Sequence, residues 1–116
     1  MDEFGLCEAI VDAVERRAAG QQVARVRVRI GALHQPFDPA LQEAFAAVAA
    51  GTVAEGAALE LDVVPVRLAC GSCGEQQVLA AYRTVCPVCG SESHITGGDE
   101  LDLDSIQLVA PVGPTA

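Results

Sequence analysis

Four cysteines in two closely spaced pairs constrain this chain more than any other feature. They form the pattern Cys70-x2-Cys73-x12-Cys86-x2-Cys89, and a glycine follows each pair. A tight turn of this kind directs backbone N–H groups at the sulfurs, and glycine permits the turn conformation. Two such pairs supply the four thiolates of a tetrahedral Zn²⁺ site. The spacing therefore predicts that these four cysteines bind one zinc ion.

The predicted zinc ion has a structural role, because four cysteines leave no open position for water or substrate. Residues 67–95 contain few large apolar side chains, so zinc binding would supply part of the folding free energy of this segment. Two alternatives remain for the same cysteines. They are core residues or disulfides, or they hold iron in a rubredoxin-like electron carrier.

Charge and composition exclude several classes of function. The formal net charge is −9 and all seven basic residues are arginine, which disfavours binding to a nucleic-acid backbone. No apolar run approaches the roughly 20 residues that span a bilayer, and the acidic start is unlike a signal peptide. We expect a cytoplasmic protein that binds neither nucleic acid nor membranes. No catalytic triad or phosphate-binding glycine loop occurs, so we predict that it is not an enzyme.

Hydrophobic periodicity predicts two amphipathic helices. The first covers roughly residues 4–19 and ends at Gly20; the second begins with Asp38 as its cap and ends at Gly51. Three segments alternate apolar and polar residues as half-buried strands do, namely VARVRVRI, ALELDVV and DELDLDSIQLV.

The predicted fold class is α+β, with two helices on a three-stranded sheet and an inserted four-cysteine zinc-ribbon lobe. The α+β lobe comprises 1–66 and 96–110, the zinc-binding lobe 67–95, and a frayed tail 111–116. Arginines alternate along the first strand, and acidic residues alternate along the other two. Cross-strand ion pairs are the simpler explanation of this ladder, and a partner-docking face is the alternative.

The remaining cysteine and the two histidines could also bind a metal. Cys7 lies on the apolar stripe of the first helix, where core packing is expected. His34 follows the first strand, either as a surface residue or as a donor near a metal. His94 follows the second cysteine pair, either as a donor close to the zinc ligands or as an exposed side chain.

Several motifs in order give the chain a resemblance to a known family. They are M-x-E with LCEAI, VRIGAL, GTVAEGAALE, the two cysteine pairs and TGGDEL. Together they cover roughly residues 1–108 and resemble the HypA/HybF family of nickel metallochaperones, which mature [NiFe]-hydrogenases. The resemblance implies an accessory role in nickel insertion, with a HypB-type nickel-handling GTPase and the hydrogenase large subunit as partners.

The resemblance also implies a transient nickel site at Met1, Asp2 and Glu3, formed by the terminal amine and the backbone nitrogens that follow it. Glu3 matches the family's glutamate, but Asp2 stands where the family has histidine. Nitrogen ligands suit Ni²⁺ better than carboxylate oxygen does, so we predict a weakened or altered nickel site, for which His34 is a candidate to compensate. The alternative is a paralogue that has lost nickel binding and acts as a zinc-stabilised interaction module.

Overall fold

A computed structural model of the chain describes residues 2–73, 76–79, 89–90 and 93–110. Along the chain, the described elements are α1 (Glu3–Ala18), β1 (Val23–Gly31), a 3₁₀ turn (Ala32–His34), α2 (Asp38–Ala49), β2 (Ala58–Val64), β3 (Val66–Cys70), β4 (Gln76–Leu79), β5 (Ser93–Gly97) and β6 (Leu101–Leu108). No helix in this described part is both long enough and apolar enough to cross a membrane.

Helix α1 forms where the apolar periodicity predicts it. The stripe Leu6, Ile10, Val11 and Val14 is buried, while the acidic residues between them face outward. The helix ends because Ala19 adopts a left-handed conformation at φ 50°, and its N–H donates to the carbonyl of Glu15.

Helix α2 also occurs as predicted, but its cap does not. Phe37 is the N-cap and makes no side-chain capping bond. Asp38 is already helical, and its carboxylate accepts a hydrogen bond from Gln42 Nε2 at 2.9 Å. The prediction that Asp38 caps this helix is therefore wrong, because Pro39 fits the first turn equally well one position later.

The described strands form two sheets of three. The predicted sheet has the order β2-β1-β6, and a second, antiparallel sheet has the order β4-β3-β5. The sequence did not reveal the second sheet, since its strands are only four or five residues long. Runs that short give little periodic signal.

The chain divides into two compact units. One consists of Met1–Val28, Phe37–Leu61 and Leu103–Ala116, and the other of Arg29–Pro36 and Asp62–Asp102. Each of the strands β1, β2 and β6 therefore begins in one unit and ends in the other. The lobes predicted from the sequence, 1–66 with 96–110 and 67–95, stay a prediction.

In the first unit, α1 packs on α2. Buried Leu, Val, Ile and Phe side chains form its core, with Leu41 and Phe45 contributed by α2. On the strand surface, Arg25 and Arg27 both contact Glu60, at 3.4 and 3.5 Å. These are the cross-strand ion pairs that the alternation predicts, and their exposure limits each to about 0–1 kcal/mol.

In the second unit, two glycines let backbone segments approach closely; we call Gly31, Gly98 and Val66 the glycine crossing. Gly31 N–H donates to the Glu100 carbonyl at 2.7 Å, and Leu33 N–H donates to the Gly98 carbonyl at 2.9 Å. A Cβ on Gly98 would lie 2.6 Å from Val66 Cα, and a Cβ on Gly31 would overlap the Gly98 carbonyl. Only glycine fits both positions.

Glu100 stabilises the turn that carries this crossing. Its carboxylate accepts a hydrogen bond from Gly98 N–H at 2.9 Å. Its own backbone N–H lowers the pKa of Glu100 most and desolvation opposes this, but the Gly98 N–H and the positive charges of Arg67 and Arg29 add to the lowering. The carboxylate therefore stays ionised, and keeps accepting from this turn, at a lower pH than an ordinary glutamate would.

We expect Gly31→Ala and Gly98→Ala each to lower the free energy of unfolding by about 3 kcal/mol, because either methyl group overlaps backbone. Gly51→Ala is the matched control: Gly51 has φ +79°, but a methyl group there would have no described atom within 4 Å, so it should cost only about 1 kcal/mol of backbone strain. Urea unfolding of the three variants measures this. Equal losses of stability in Gly51→Ala and Gly98→Ala would show that backbone strain, and not overlap with neighbouring backbone atoms, sets the cost of the added methyl group.

Candidate metal centres

The end of strand β3 and the turn after it bring cysteine sulfurs together. Cys70 is the last residue of β3 and is buried; Cys73 and Cys89 are exposed. The three ligand sulfurs lie within 4.8 Å of one another, and Cys70 Sγ is 3.5 Å from Cys89 Sγ. Zn–S bonds of about 2.3 Å separate tetrahedral sulfurs by about 3.8 Å. The cluster is therefore compatible with a zinc site.

Backbone donors favour the thiolate form at this site. The N–H groups of Cys73 and Ser72 point at the sulfur and lower the pKa of Cys70, and burial opposes them with a smaller effect. The thiolate is the form of cysteine that binds metals, so these two backbone N–H groups favour the metal-binding form of Cys70.

The structure brings together three of the four predicted zinc ligands. The fourth, Cys86, lies outside the described residues. Three converging thiolates with a fourth in the same short segment suit zinc or iron, which share tetrahedral sulfur coordination. His94 is exposed on β5 and is not among the clustered metal-binding groups of the described chain.

At the start of the chain, Asp2 caps helix α1. Its backbone is extended (φ −77°, ψ 171°), and its carboxylate accepts a hydrogen bond from Gly5 N–H at 2.7 Å. Its carbonyl accepts the first helical hydrogen bond, from Leu6 N–H at 3.0 Å. The aspartate thus satisfies one of the orphan donors that every helix N-terminus presents. Met1, the other predicted ligand here, lies outside the described residues.

Glu3 and Cys7 follow in the first two turns of the helix. Glu3 is exposed, whereas Cys7 is fully buried and its thiol donates to the Leu41 carbonyl at 3.6 Å. Desolvation, and to a lesser extent the charge of Glu3, raise the pKa of Cys7 to about 11. Cys7 is therefore a neutral core residue, as its place on the apolar stripe indicates.

The His34 side chain contacts the turn at residues 98–100. Its Nε2 lies 2.9 Å from the Asp99 carbonyl oxygen. A carbonyl can only accept, so Nε2 carries the proton, and Nδ1 is the nitrogen through which a neutral His34 would bind a metal. His34 belongs to the second compact unit, whereas Asp2 and Glu3 belong to the first. Sequence analysis did not predict the contact between His34 and Asp99. The adjacent glycines of TGGDEL, which favour a tight turn, were the one feature that pointed to it.

Comparison with known proteins decides the family. The family model described as HypA, a hydrogenase/urease nickel incorporation metallochaperone, matches residues 1–108. The chain belongs to the HypA family. The hydrogenase maturation factor HypA of Nitrosospira multiformis is 34% identical over 113 residues, covering 94% of this chain and 98% of that one. The HypA of Desulfitobacterium hafniense is 38% identical over 112 residues, covering 93% and 98%.

A solved structure agrees with this assignment. The nickel metallochaperone HypA from Helicobacter pylori superposes with a TM-score of 0.68 at 26% identity, covering 95% of this chain and 99% of that one. The predicted α+β fold class is confirmed by the two helices, the three-stranded sheet and this superposition, and the clustered cysteines are compatible with the predicted zinc site. The prediction that the chain is not an enzyme is also confirmed, because its family is one of metallochaperones in hydrogenase maturation.

The cap at Asp2 predicts a specific pattern of stability. Asp2→Leu should lower the free energy of unfolding by about 1 kcal/mol, since leucine cannot accept from Gly5 N–H, whereas Asp2→Asn should change it by only a few tenths. Both residues are large enough to favour retention of Met1, which mass spectrometry verifies. Urea denaturation measures the difference. Equal stability of the leucine and asparagine variants would contradict a capping role.

Proposed function

We propose that this HypA-family chain is an accessory metallochaperone that assists nickel insertion into [NiFe]-hydrogenase, with zinc held by Cys70, Cys73, Cys86 and Cys89. The observation that carries the proposal is the convergence of three of these sulfurs inside a chain that matches the family from its first residue. A HypB-type GTPase and the hydrogenase large subunit are the proposed partners, and the cytoplasm the proposed location. All three rest on the family resemblance.

Zinc at the cysteine cluster has a structural role in this proposal. Four thiolates would fill a tetrahedral ion, so the zinc neither binds water nor exchanges nickel. Its contribution is to the folding of β3–β5, whose described strands are short. Iron at the same sulfurs would instead carry electrons.

Nickel is the cargo, and helix geometry supports a place for it at the N-terminus. The N–H groups of Asp2 and Glu3 have no acceptor within α1, because they precede the first helical bond, which Leu6 N–H donates to the Asp2 carbonyl. If these two amide nitrogens lose their protons to bind Ni²⁺, no helical hydrogen bond is broken, so together with the Met1 amine they could supply nitrogen ligands.

Asp2 weakens this site in two ways. Carboxylate oxygen suits nickel less well than imidazole nitrogen does. The carboxylate must also leave Gly5 N–H before it can bind a metal, and the loss of a cap costs about 1 kcal/mol. That cost alone corresponds to a roughly fivefold weaker site.

A second function has a specific observation in its favour. Because the Asp2 carboxylate is bound to Gly5 N–H, the chain fits equally a HypA paralogue that has lost nickel and acts as a zinc-stabilised interaction module. Nickel binding separates the two functions.

Metal analysis tests the zinc proposal. Purified protein should be colourless and contain one zinc per chain, and Cys70→Ser should lose most of it, since a tetrahedral site with one ligand removed binds far less tightly. Cys7→Ala is the control, because it removes a cysteine outside the cluster and should keep the zinc. Coloured protein that contains iron would instead establish the electron-carrier alternative.

Calorimetric titration with Ni²⁺ tests the nickel proposal on untagged protein. The parent should bind weakly, and Asp2→His should bind at least about tenfold more tightly, because imidazole replaces a bound carboxylate. Glu8→His adds the same group elsewhere on α1 and should not help. A Gly-Ser extension before Met1 should abolish binding by removing the amine.

The outcomes distinguish the two functions. If the parent binds no nickel at micromolar concentration and Asp2→His does, the paralogue is correct. If the two bind alike, residue 2 does not decide the affinity, and the argument from ligand type is wrong.

A further inference from the structure

A groove opens between the first turn of α1 and one face of α2, within the first compact unit. Its volume is about 400 Å³, and its lining consists of Glu3, Phe4, Ala40, Glu43, Ala44 and Ala47. Pockets for small molecules begin at about 300 Å³. The groove therefore has room for about one or two large aliphatic side chains.

Small residues on α2 create this groove. Ala40, Ala44 and Ala47 recur at i, i+4 and i+7, so they line one face of the helix. Their methyl groups fill little space between the helices. On the other side Phe4 leaves 54% of its surface exposed. An exposed aromatic ring beside an apolar concavity is typical of an interaction site.

The charges around the groove have one sign. Glu3 and Glu43 lie among the lining residues, and both are exposed. The sequence of α2 contains no basic residue, and α1 has none before Arg16. A partner that fills the groove with apolar side chains therefore meets two carboxylates, which favour lysine or arginine on its flanks.

We propose that this groove binds a cationic amphipathic helix of a partner protein, with its aliphatic stripe against Phe4 and the alanines and its basic residues near Glu3 and Glu43. Helices with anchors at i, i+3 or i+4 and i+7 bind apolar grooves in this way. A second copy of the chain suits the groove poorly, because each copy carries a net charge of −9. The proposal does not depend on nickel binding.

A synthetic helix tests the proposal. The probe is a peptide of about 15 residues, long enough to be partly helical, with leucine at i, i+4 and i+7 and lysine on the other face. One control peptide carries glutamate in place of lysine, and another has the same composition in scrambled order. Fluorescence anisotropy is measured with the zinc-loaded full chain in nickel-free buffer. The lysine peptide should bind at least tenfold more tightly than either control peptide, and its affinity should fall as salt screens the charges.

Two variants of the protein locate the binding site. Ala47→Leu fills the groove and should raise the Kd of the lysine peptide at least tenfold. Glu43→Lys should raise it about fivefold at low ionic strength, because it places like charges together. Ala46→Leu and Glu15→Lys are the matched controls, since each makes the same change at an exposed helical residue outside the groove; both should stay within about twofold.

Three results would overturn the proposal. One is equal binding of the lysine and glutamate peptides, and another is equal binding by Ala47→Leu and Ala46→Leu. The third is a parent dimer in light scattering that Ala47→Leu dissociates, which would make a second copy the occupant. Since these assays contain no nickel, their failure leaves the nickel proposal standing, and failed nickel binding leaves this one standing.

Discussion

Backbone contact at the glycine crossing is the constraint on which the second unit depends. Gly31 ends β1, Gly98 precedes β6 and Val66 begins β3, and two backbone hydrogen bonds fasten Gly31 and Leu33 to the turn at 98–100. The Glu100 carboxylate and the His34 imidazole bind the same turn. Because β1, β3 and β6 all meet at this point, one added methyl group would disturb three strands at once.

The first residue of the cysteine cluster, Cys70, lies on the strand that takes part in the glycine crossing. Strand β3 carries the crossing at Val66 and the first sulfur at its last residue, so the position of the cysteine cluster follows from the packing of a strand. Backbone N–H groups in the turn then favour the thiolate. A structural metal suits a segment with few large apolar side chains, because metal binding supplies the free energy that a larger core would provide.

At the N-terminus the same few atoms serve two demands. A helix needs an acceptor for its unpaired N–H groups, and aspartate is among the best. Nickel needs nitrogen ligands, and aspartate offers oxygen. Asp2 meets the first demand directly, through Gly5. In the proposed nickel site, a member of the HypA family could thus keep its helix cap while its affinity for nickel changes, because capping and metal binding would be separate uses of one side chain.

By itself, the sequence determined both helices, the three longer strands, the clustering of Cys70, Cys73 and Cys89, and the family, since periodicity, spacing and motif order are local properties of the chain. Tertiary structure decided the rest: the short β4-β3-β5 sheet, the contact of His34 with Asp99, and the groove that Phe4 and the α2 alanines enclose. Each of these joins residues far apart in sequence. Weak local signals become defined structure only when packing and backbone hydrogen bonds bring such residues together.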